Sequence, residues 1–191
     1  MVKNSNNALP LKSPKTLSIF GWDATSGLNT SSDAILFEFG ATTAQTYIDG
    51  ADYNDVSYYL IFGGIDPPDI HPPQIALNGT LLGGAGSGAI TPSSSTSPYD
   101  AIQRQAALDG TTIYTDFVSQ NPAVRASDTC LVFINAFSQE GADRSELSNA
   151  YSDTLVANVA SKCANTIVII HNAGIRIVDA VCNILVCILA A

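Results

Sequence analysis

The fold is decided by two apolar runs, Leu131-Val-Phe-Ile-Asn-Ala136 and Thr166-Ile-Val-Ile-Ile-His171. Nearly unbroken apolar runs of this length are typical of parallel strands that are covered on both faces. The segment between them predicts a helix over about 146–162, because apolar residues recur every four positions. This stripe comprises Leu147, Tyr151, Leu155 and Val159. Strand, helix and strand in this order predict a βαβ unit with adjacent parallel strands, and hence an α/β fold with a mostly parallel sheet between helices.

Three further elements can be predicted upstream of this unit. Thr16-Leu-Ser-Ile-Phe20 is predicted to be a first strand, with Gly21-Trp22-Asp23 as the turn after it. Ser97-Pro98 predicts the start of a helix, since serine caps the first turn and proline is favoured at its first position. The helix continues from Tyr99 to Leu108 and stops at Gly110. The next residues, Thr111-Thr-Ile-Tyr114, predict a short strand.

Two other segments do not fit a regular α/β domain. Residues 21–95 have little periodicity and many Gly, Pro, Ser and Asn, which predicts a long loop insertion. Residues 180–191 form an atypical apolar tail, too short for a bilayer, which needs about 20 residues. The 191 residues are one domain's worth of chain. Because the sequence predicts only three or four strands, however, we expect an incomplete domain over 1–179, followed by the tail.

Composition restricts the classes of ligand. The formal charge of −9 and the pI near 4.3 argue against binding to nucleic acid or to anionic membranes, both of which need clusters of Lys and Arg. A neutral or cationic ligand and an acidic working environment suit this charge. The hydrophobic fraction of 46% is sufficient for a real core.

The evidence on localisation is divided. Met1-Val-Lys-Asn-Ser5 lacks the apolar region of a signal peptide, which taken at face value indicates the cytoplasm. Two glycosylation triplets, Asn29-Thr30-Ser31 and Asn78-Gly79-Thr80, lie in stretches expected to be exposed loops, although such triplets also occur by chance. Cys130 and Cys163 each precede an apolar strand, so neighbouring strands would bring them together as a disulfide or as two buried thiols.

Several residues are candidates for binding. The run Gly83-Gly-Ala-Gly-Ser-Gly88 lacks the following helix that a phosphate loop needs, so a turning loop is the better interpretation. His71 and His171 have no metal-ligand spacing, and His171 at a strand end is interpreted as structural. Trp22 would either stack on a sugar or fill the core. No metal or cofactor is predicted.

The segment after the strand 131–136 is the strongest candidate for chemistry. It reads Ser138-Gln-Glu140-Gly-Ala-Asp-Arg144, and ligands of α/β sheets bind at the carboxyl ends of parallel strands. Partial burial there would raise the pKa of Glu140 and suit it to acid/base work, and Asp143 with Arg144 could pair to fix the loop. From the chemistry alone, however, a solvated loop glutamate is the simpler interpretation. A glycosidase also needs two carboxylates.

Together these residues resemble family 3 glycoside hydrolases, specifically fungal β-glucosidases. The segment Lys3-Asn-Ser-Asn-Asn-Ala-Leu-Pro-Leu-Lys12 is similar to the start of that family's second domain, and Gly79 to Gly88 is similar to its glycine-rich loop. The helix start at Ser97 to Gln103 is also similar. The segments that match most closely are 130–144 and 166–179.

The resemblance implies a barrel domain followed by an α/β sandwich, with the active site between them. It implies that Glu140 is the acid/base residue and that the nucleophile is an aspartate of the barrel, which no Asp here matches. The implied ligand is a β-glucoside or cello-oligosaccharide, the implied partner is the missing barrel, and the implied location of the full-length protein is extracellular. The tail departs from the family, so we expect a truncated second domain that is inactive alone.

Two other classes of function fit part of the sequence. A non-catalytic sugar-binding or regulatory module would keep the sandwich without the chemistry, and would bind glucose or cellobiose without hydrolysis. A flavodoxin-like nucleotide binder would also fit the βαβ pattern, but the sequence lacks a phosphate loop at a helix start.

Overall fold

The computed structural model describes residues 3–5, 8–25, 74–75, 79–81, 96–138, 143–179 and 186–190. These residues form six strands, two α-helices and a 3-10 turn at Trp22–Ala24. The strands are β1 Lys3–Asn4, β2 Thr16–Phe20, β3 Thr112–Asp116, β4 Thr129–Ala136, β5 Thr166–Asn172 and β6 Val186–Ala190. The helices are α1 Pro98–Asp109 and α2 Ala150–Ala160.

All six strands belong to one sheet with the order β1-β6-β5-β4-β2-β3. The five longer strands are parallel to their neighbours, and only the two-residue β1 is antiparallel. Leu131 lies opposite Ile167 in the register of β4 and β5. The prediction of adjacent, parallel, buried strands at 131–136 and 166–171 is therefore confirmed, and with it the α/β class.

The two faces of the sheet are both covered, which explains the uninterrupted apolar sequences of β4 and β5. Successive side chains of a strand point to opposite faces. One set packs beneath α1 and comprises Leu17, Ile19, Leu131, Phe133 and Ile167, with Tyr99 and Ile102 from the helix. The other packs beneath α2 and comprises Val132, Ile134, Val168 and Ile170, with Leu155, Val156 and Val159 from the helix.

Helix α1 begins and ends as the sequence predicts. The Ser97 side chain accepts a hydrogen bond from the backbone N–H of Asp100 at 3.1 Å, which caps the first turn. Gly110 adopts the left-handed conformation with φ 71°, which glycine reaches at little steric cost, and ends the helix.

Helix α2 is shorter than predicted at its start. It begins at Ala150 rather than near 146, because the Asn149 side chain accepts from the backbone N–H of Ser152 at 2.9 Å and forms the cap there. The prediction that Leu147 belongs to the buried stripe is wrong, since this residue precedes the helix and is 44% exposed. Leu155 and Val159 are fully buried as predicted.

Cys130 and Cys163 form a disulfide, the first of the two alternatives that the sequence left open. Their Cα atoms are 6.4 Å apart. Cys130 is the second residue of β4, and Cys163 follows α2. The bridge therefore ties the end of α2 to the start of the central strand.

Two segments that the sequence set apart are only partly described. The strand β6 lies in the segment 180–191 and pairs with β5 along Ile167 to His171. Of the predicted loop insertion at 21–95, the structure describes residues 21–25, 74–75 and 79–81, and the Gly83–Gly88 run and His71 lie outside them. Among the described residues, neither helix is long and apolar enough to cross a membrane.

Candidate functional site

Polar residues converge where β2, β4 and β5 end, and we call this the carboxyl edge of the sheet. Asn135 is the next-to-last residue of β4 and lies opposite His171 in the register with β5. Asp23 lies in the 3-10 turn that follows β2. Asn135 and His171 fall on the face beneath α1, as do Phe133 and Ile167, because side chains alternate along a strand.

Asp23 is the centre of a hydrogen-bonded cluster. Its side chain is 1% exposed. One carboxylate oxygen, Oδ1, accepts from the backbone N–H of Leu81 at 2.8 Å and from Nδ2 of Asn135 at 3.0 Å. The other oxygen, Oδ2, is hydrogen-bonded to Nδ1 of His171. A carboxylate removed from water needs partners on both oxygens, and this cluster provides them.

The cluster shifts the pKa values of both titratable members. Burial raises the pKa of the Asp23 carboxyl, and the contacts with His171, Leu81 and Asn135 offset only part of that rise. Burial lowers the pKa of His171, but the hydrogen bond and the charge of Asp23 outweigh this effect and raise it above its ordinary value. His171 is therefore protonated up to a higher pH than a free histidine.

The turn that carries Asp23 is held by a distant piece of chain. Thr80 Oγ1 donates to the backbone carbonyl oxygens of Asp23 and Thr25, each at 2.9 Å. Thr80 is half-buried and Gly79 is buried, so this part of the second glycosylation triplet is not the exposed loop that the sequence predicts. Asn78 itself, and the triplet at 29–31, lie outside the described residues.

The predicted site residues lie in the segment that follows β4. Glu140 lies outside the described residues, so its acid/base role stays a prediction. Arg144 is half-buried, and its Nη2 donates to the backbone carbonyl oxygen of Ile175. Asp143 is exposed, and its pairing with Arg144 stays a prediction.

The two flanks of 139–142 approach the chain after β5 at Gly174. A Cβ atom at Gly174 would lie 2.9 Å from Cβ and Oγ of Ser138, and 3.6 Å from Nη2 of Arg144. Such contacts leave no room for a larger residue without movement. Glycine at 174 therefore permits Ser138 and Arg144 to close on the same point of the carboxyl edge.

A second arginine, Arg176, lies close to Arg144 and is bonded to helix α2. Arg176 is buried, and its Nη2 pairs with Oδ1 of Asp153 in α2 at 2.5 Å. Burial lowers the pKa of Arg144, and the charge of Arg176 lowers it further. The backbone N–H of Ile177 donates to the carbonyl oxygen of Leu147 at 2.8 Å. This hydrogen bond joins the segments 143–149 and 173–179.

A cavity of about 360 Å³ with apolar and polar lining residues lies at the other end of the strands, away from the carboxyl edge. Its lining includes Leu17 and Leu131 near the starts of β2 and β4, with Ile102 and Ala106 from α1. The polar cluster does not contribute to it. In the described ranges, no group of three or more His, Cys, Asp or Glu side chains could hold a metal ion.

The sequence alone did not identify this cluster. The sequence pattern predicts only a turn at Asp23 and only an apolar strand at Asn135. At His171 it predicts a structural histidine, whereas the side chain is 22% exposed. The available signal was the placement of Asn135 and His171 at the ends of otherwise apolar strands. Trp22 is half-buried beside Asp23, and stacking on a sugar stays a prediction for it.

Comparison with known protein families identifies the family of this chain. The Glycosyl hydrolase family 3 C-terminal domain matches residues 1–191. The chain belongs to this family. The family 3 domain thus includes β6, in the segment that the sequence set aside as an atypical tail.

Named relatives of this family 3 domain are fungal β-glucosidases. The β-glucosidase cel3A of Pyricularia oryzae is 45% identical over 180 residues, which cover 94% of this chain and 22% of the relative. The probable β-glucosidase M of Emericella nidulans is 42% identical over 181 residues, covering 94% of this chain and 20% of the relative. The chain therefore spans about a fifth of the length of the curated relatives it matches.

Solved structures agree with the fold of the family 3 domain. A β-D-glucoside glucohydrolase of Trichoderma reesei matches with a TM-score of 0.66 at 25% identity, over 96% of this chain and 23% of that one. The β-glucosidase D2-BGL of Chaetomella raphigera matches with a TM-score of 0.67 at 28% identity, over 96% of this chain and 22% of that one.

Proposed function

We propose that this chain supplies the acid/base half of a retaining β-glucosidase active site, with Glu140 as the acid/base residue. The observation that carries the proposal is the convergence of Ser138 and Arg144, which flank residues 139–142, on Gly174 at the carboxyl edge. Ligands of α/β sheets bind at this edge. Arg144 supports the segment through the carbonyl oxygen of Ile175, and Asp143 lies next to it.

The reaction needs two carboxylates on opposite sides of the glycosidic bond. A nucleophile attacks the anomeric carbon, while Glu140 gives its proton to the leaving-group oxygen. Glu140, now ionised, takes a proton from water, and the resulting hydroxide displaces the nucleophile from the sugar. In retaining enzymes the two carboxyl groups lie about 5–5.5 Å apart. The nucleophile in this proposal is an aspartate of a barrel domain elsewhere in a longer protein.

The surface beside the candidate site is suited to packing against such a domain. Ile175 and Ile177 are 75% and 48% exposed and follow directly after the Gly174 contact. Apolar side chains next to a candidate site are a frequent feature of interfaces. The proposed substrates are terminal β-D-glucosyl residues of cellobiose and other β-glucosides, by analogy with relatives named as β-glucosidases.

The proposed location of the longer protein is extracellular. The disulfide between Cys130 and Cys163 supports this proposal, because disulfides persist in oxidising compartments and are rare in the cytosol. Glycosylation at Asn29 or Asn78 belongs to the same proposal.

The test is a graft in which this chain replaces the matching segment of the P. oryzae β-glucosidase. In the grafted enzyme, Glu140→Ala should lower kcat/KM by about 100- to 10,000-fold on β-glucosides with poor leaving groups, whose departure depends on the proton. Aryl glucosides with good leaving groups should lose much less in the first step and be limited by hydrolysis of the glycosyl-enzyme.

Glu146→Ala is the matched control, because Glu146 is an exposed carboxylate a short way along the chain. This variant should retain the activity of the unmodified graft. Equal losses in Glu140→Ala and Glu146→Ala, or none in either, would contradict the assignment. Retained sugar binding by a graft that hydrolyses nothing would favour a non-catalytic sugar-binding module instead.

A further inference from the structure

Only one of the two ring nitrogens of His171 is bonded to a described residue. Its Nδ1 is bonded to Asp23, and its ring lies near Phe133, with the ring centroids 6.3 Å apart. Among the residues that the structure describes, no group pairs with Nε2. The side chain is 22% exposed, so the ring reaches the surface of the carboxyl edge.

Asp23 fixes how this ring is presented. An ionised carboxylate can only accept, so Nδ1 carries a proton and the neutral ring leaves Nε2 as an acceptor. When the ring is protonated, Nε2 becomes a donor. Asp23 is itself held by Leu81 and Asn135 through its other oxygen, so the ring is attached to a rigid group.

Filling Asp23 Oδ2 does not by itself account for a histidine. A single N–H is enough for that contact, and an asparagine could supply it. The imidazole adds a second polar atom further out, at the edge where ligands of such sheets bind. This second atom, Nε2, takes no part in the hydrogen bonds that join Asp23 to Leu81, Asn135 and His171.

We propose that Nε2 of His171 hydrogen-bonds a hydroxyl of the bound β-glucoside, with Asp23 as the positioning residue. This inference rests on the proposed function and adds a sugar contact to the same site. A sugar hydroxyl both donates and accepts, so it can pair with Nε2 in either protonation state.

The test compares His171→Asn with unmodified His171 in the grafted β-glucosidase. Asparagine can reach Asp23 Oδ2 through its amide but has no atom at the position of Nε2. We expect KM for an aryl β-glucoside to rise about three- to tenfold, with kcat nearly unchanged, as for a lost hydrogen bond made equally in ground and transition states. His171→Gln, whose amide reaches further, should raise KM less than His171→Asn.

Deoxy-glucosides make the test specific. If His171 contacts one hydroxyl, the penalty of His171→Asn should disappear for the one substrate that lacks this hydroxyl and persist for the others. An unchanged KM in His171→Asn, or an equal penalty on every deoxy-glucoside, would overturn the proposal. The proposed function stands or fails separately, since it depends on Glu140→Ala in a graft that retains His171.

Discussion

At the scale of the residue, the decisive feature is a buried carboxylate with partners from distant parts of the chain. Asp23 bonds to Leu81, Asn135 and His171, which lie 58, 112 and 148 positions away. Local sequence patterns carry no information on such pairings, so the sequence reveals Asp23 only as a turn residue. The sequence shows the polar residues Asn135 and His171 at the ends of β4 and β5. The group that they bind, however, depends on how β2, β4 and β5 are aligned.

The raised pKa of His171 makes the stability of the fold depend on pH. A raised pKa means that the folded protein holds the proton more tightly than the unfolded chain, whose histidine titrates near 6.5. The stabilisation is fully present below about pH 6.5 and is lost as the pH rises through the folded-state value. We expect the free energy of unfolding, measured by urea denaturation, to fall across this window.

The raised pKa of Asp23 also makes the free energy of unfolding fall as the pH rises. Its contribution begins to be lost above pH 3.8, the ordinary pKa of the carboxyl group. His171→Asn is the control for the window above pH 6.5, because it removes the imidazole and can keep a contact with Asp23. The difference in stability between wild type and this variant should shrink with rising pH. Parallel curves for the two proteins would show that the pair contributes no such dependence.

At the scale of the element, strands β2 to β5 and helix α1 follow from local signals, whereas β1, β6 and the start of α2 do not. Ser97, Pro98 and Gly110 are cap and stop residues that act within one turn, so they mark α1 in the sequence. In α2, the apolar stripe extends back to Leu147, but the capping hydrogen bond of Asn149 sets the start. The cap decides where the helix begins, because it provides an acceptor for a backbone N–H of the first turn, and the apolar pattern does not.

The contact between the segments after β4 and β5 predicts a pair of compensating substitutions. Gly174→Ala would place Cβ 2.9 Å from Cβ and Oγ of Ser138, so one of the two segments must move. In the grafted β-glucosidase we expect kcat/KM to fall about tenfold, with a small effect on melting temperature. Adding Ser138→Gly removes both clashing atoms and should recover most of the loss.

The recovery distinguishes local crowding from a general effect of alanine at this position. If Gly174→Ala is silent in the graft, the approach of Ser138 to this point does not position the segment between them. If it is damaging but Ser138→Gly does not help, the contact with Arg144 or another neighbour is responsible.

At the scale of the whole molecule, the chain is a family 3 domain that spans about a fifth of its relatives. The fold could be predicted because its βαβ core is one continuous segment, residues 129–172. The complete active site could not be predicted from this chain, because the resemblance assigns the nucleophile to a barrel domain that these residues do not match.

We therefore expect no turnover of an aryl β-glucoside by the purified 191-residue chain. An acid without a nucleophile cannot form the covalent glycosyl-enzyme. The measurement is release of the aryl alcohol at enzyme concentrations far above those needed for a β-glucosidase. Robust turnover that is abolished by replacing an Asp of this chain would show that the nucleophile lies within it.

The acid/base role of Glu140 is tested most directly by product analysis of the grafted Glu140→Ala variant, acting on an aryl β-glucoside with a good leaving group in the presence of azide. Azide needs no general base, so it can attack the accumulated glycosyl-enzyme when the carboxylate of residue 140 is missing. We expect faster release of the aryl alcohol and formation of β-glucosyl azide, with the configuration retained after two displacements. Absence of this product, with no acceleration by azide, would contradict the assignment of Glu140 as the acid/base residue.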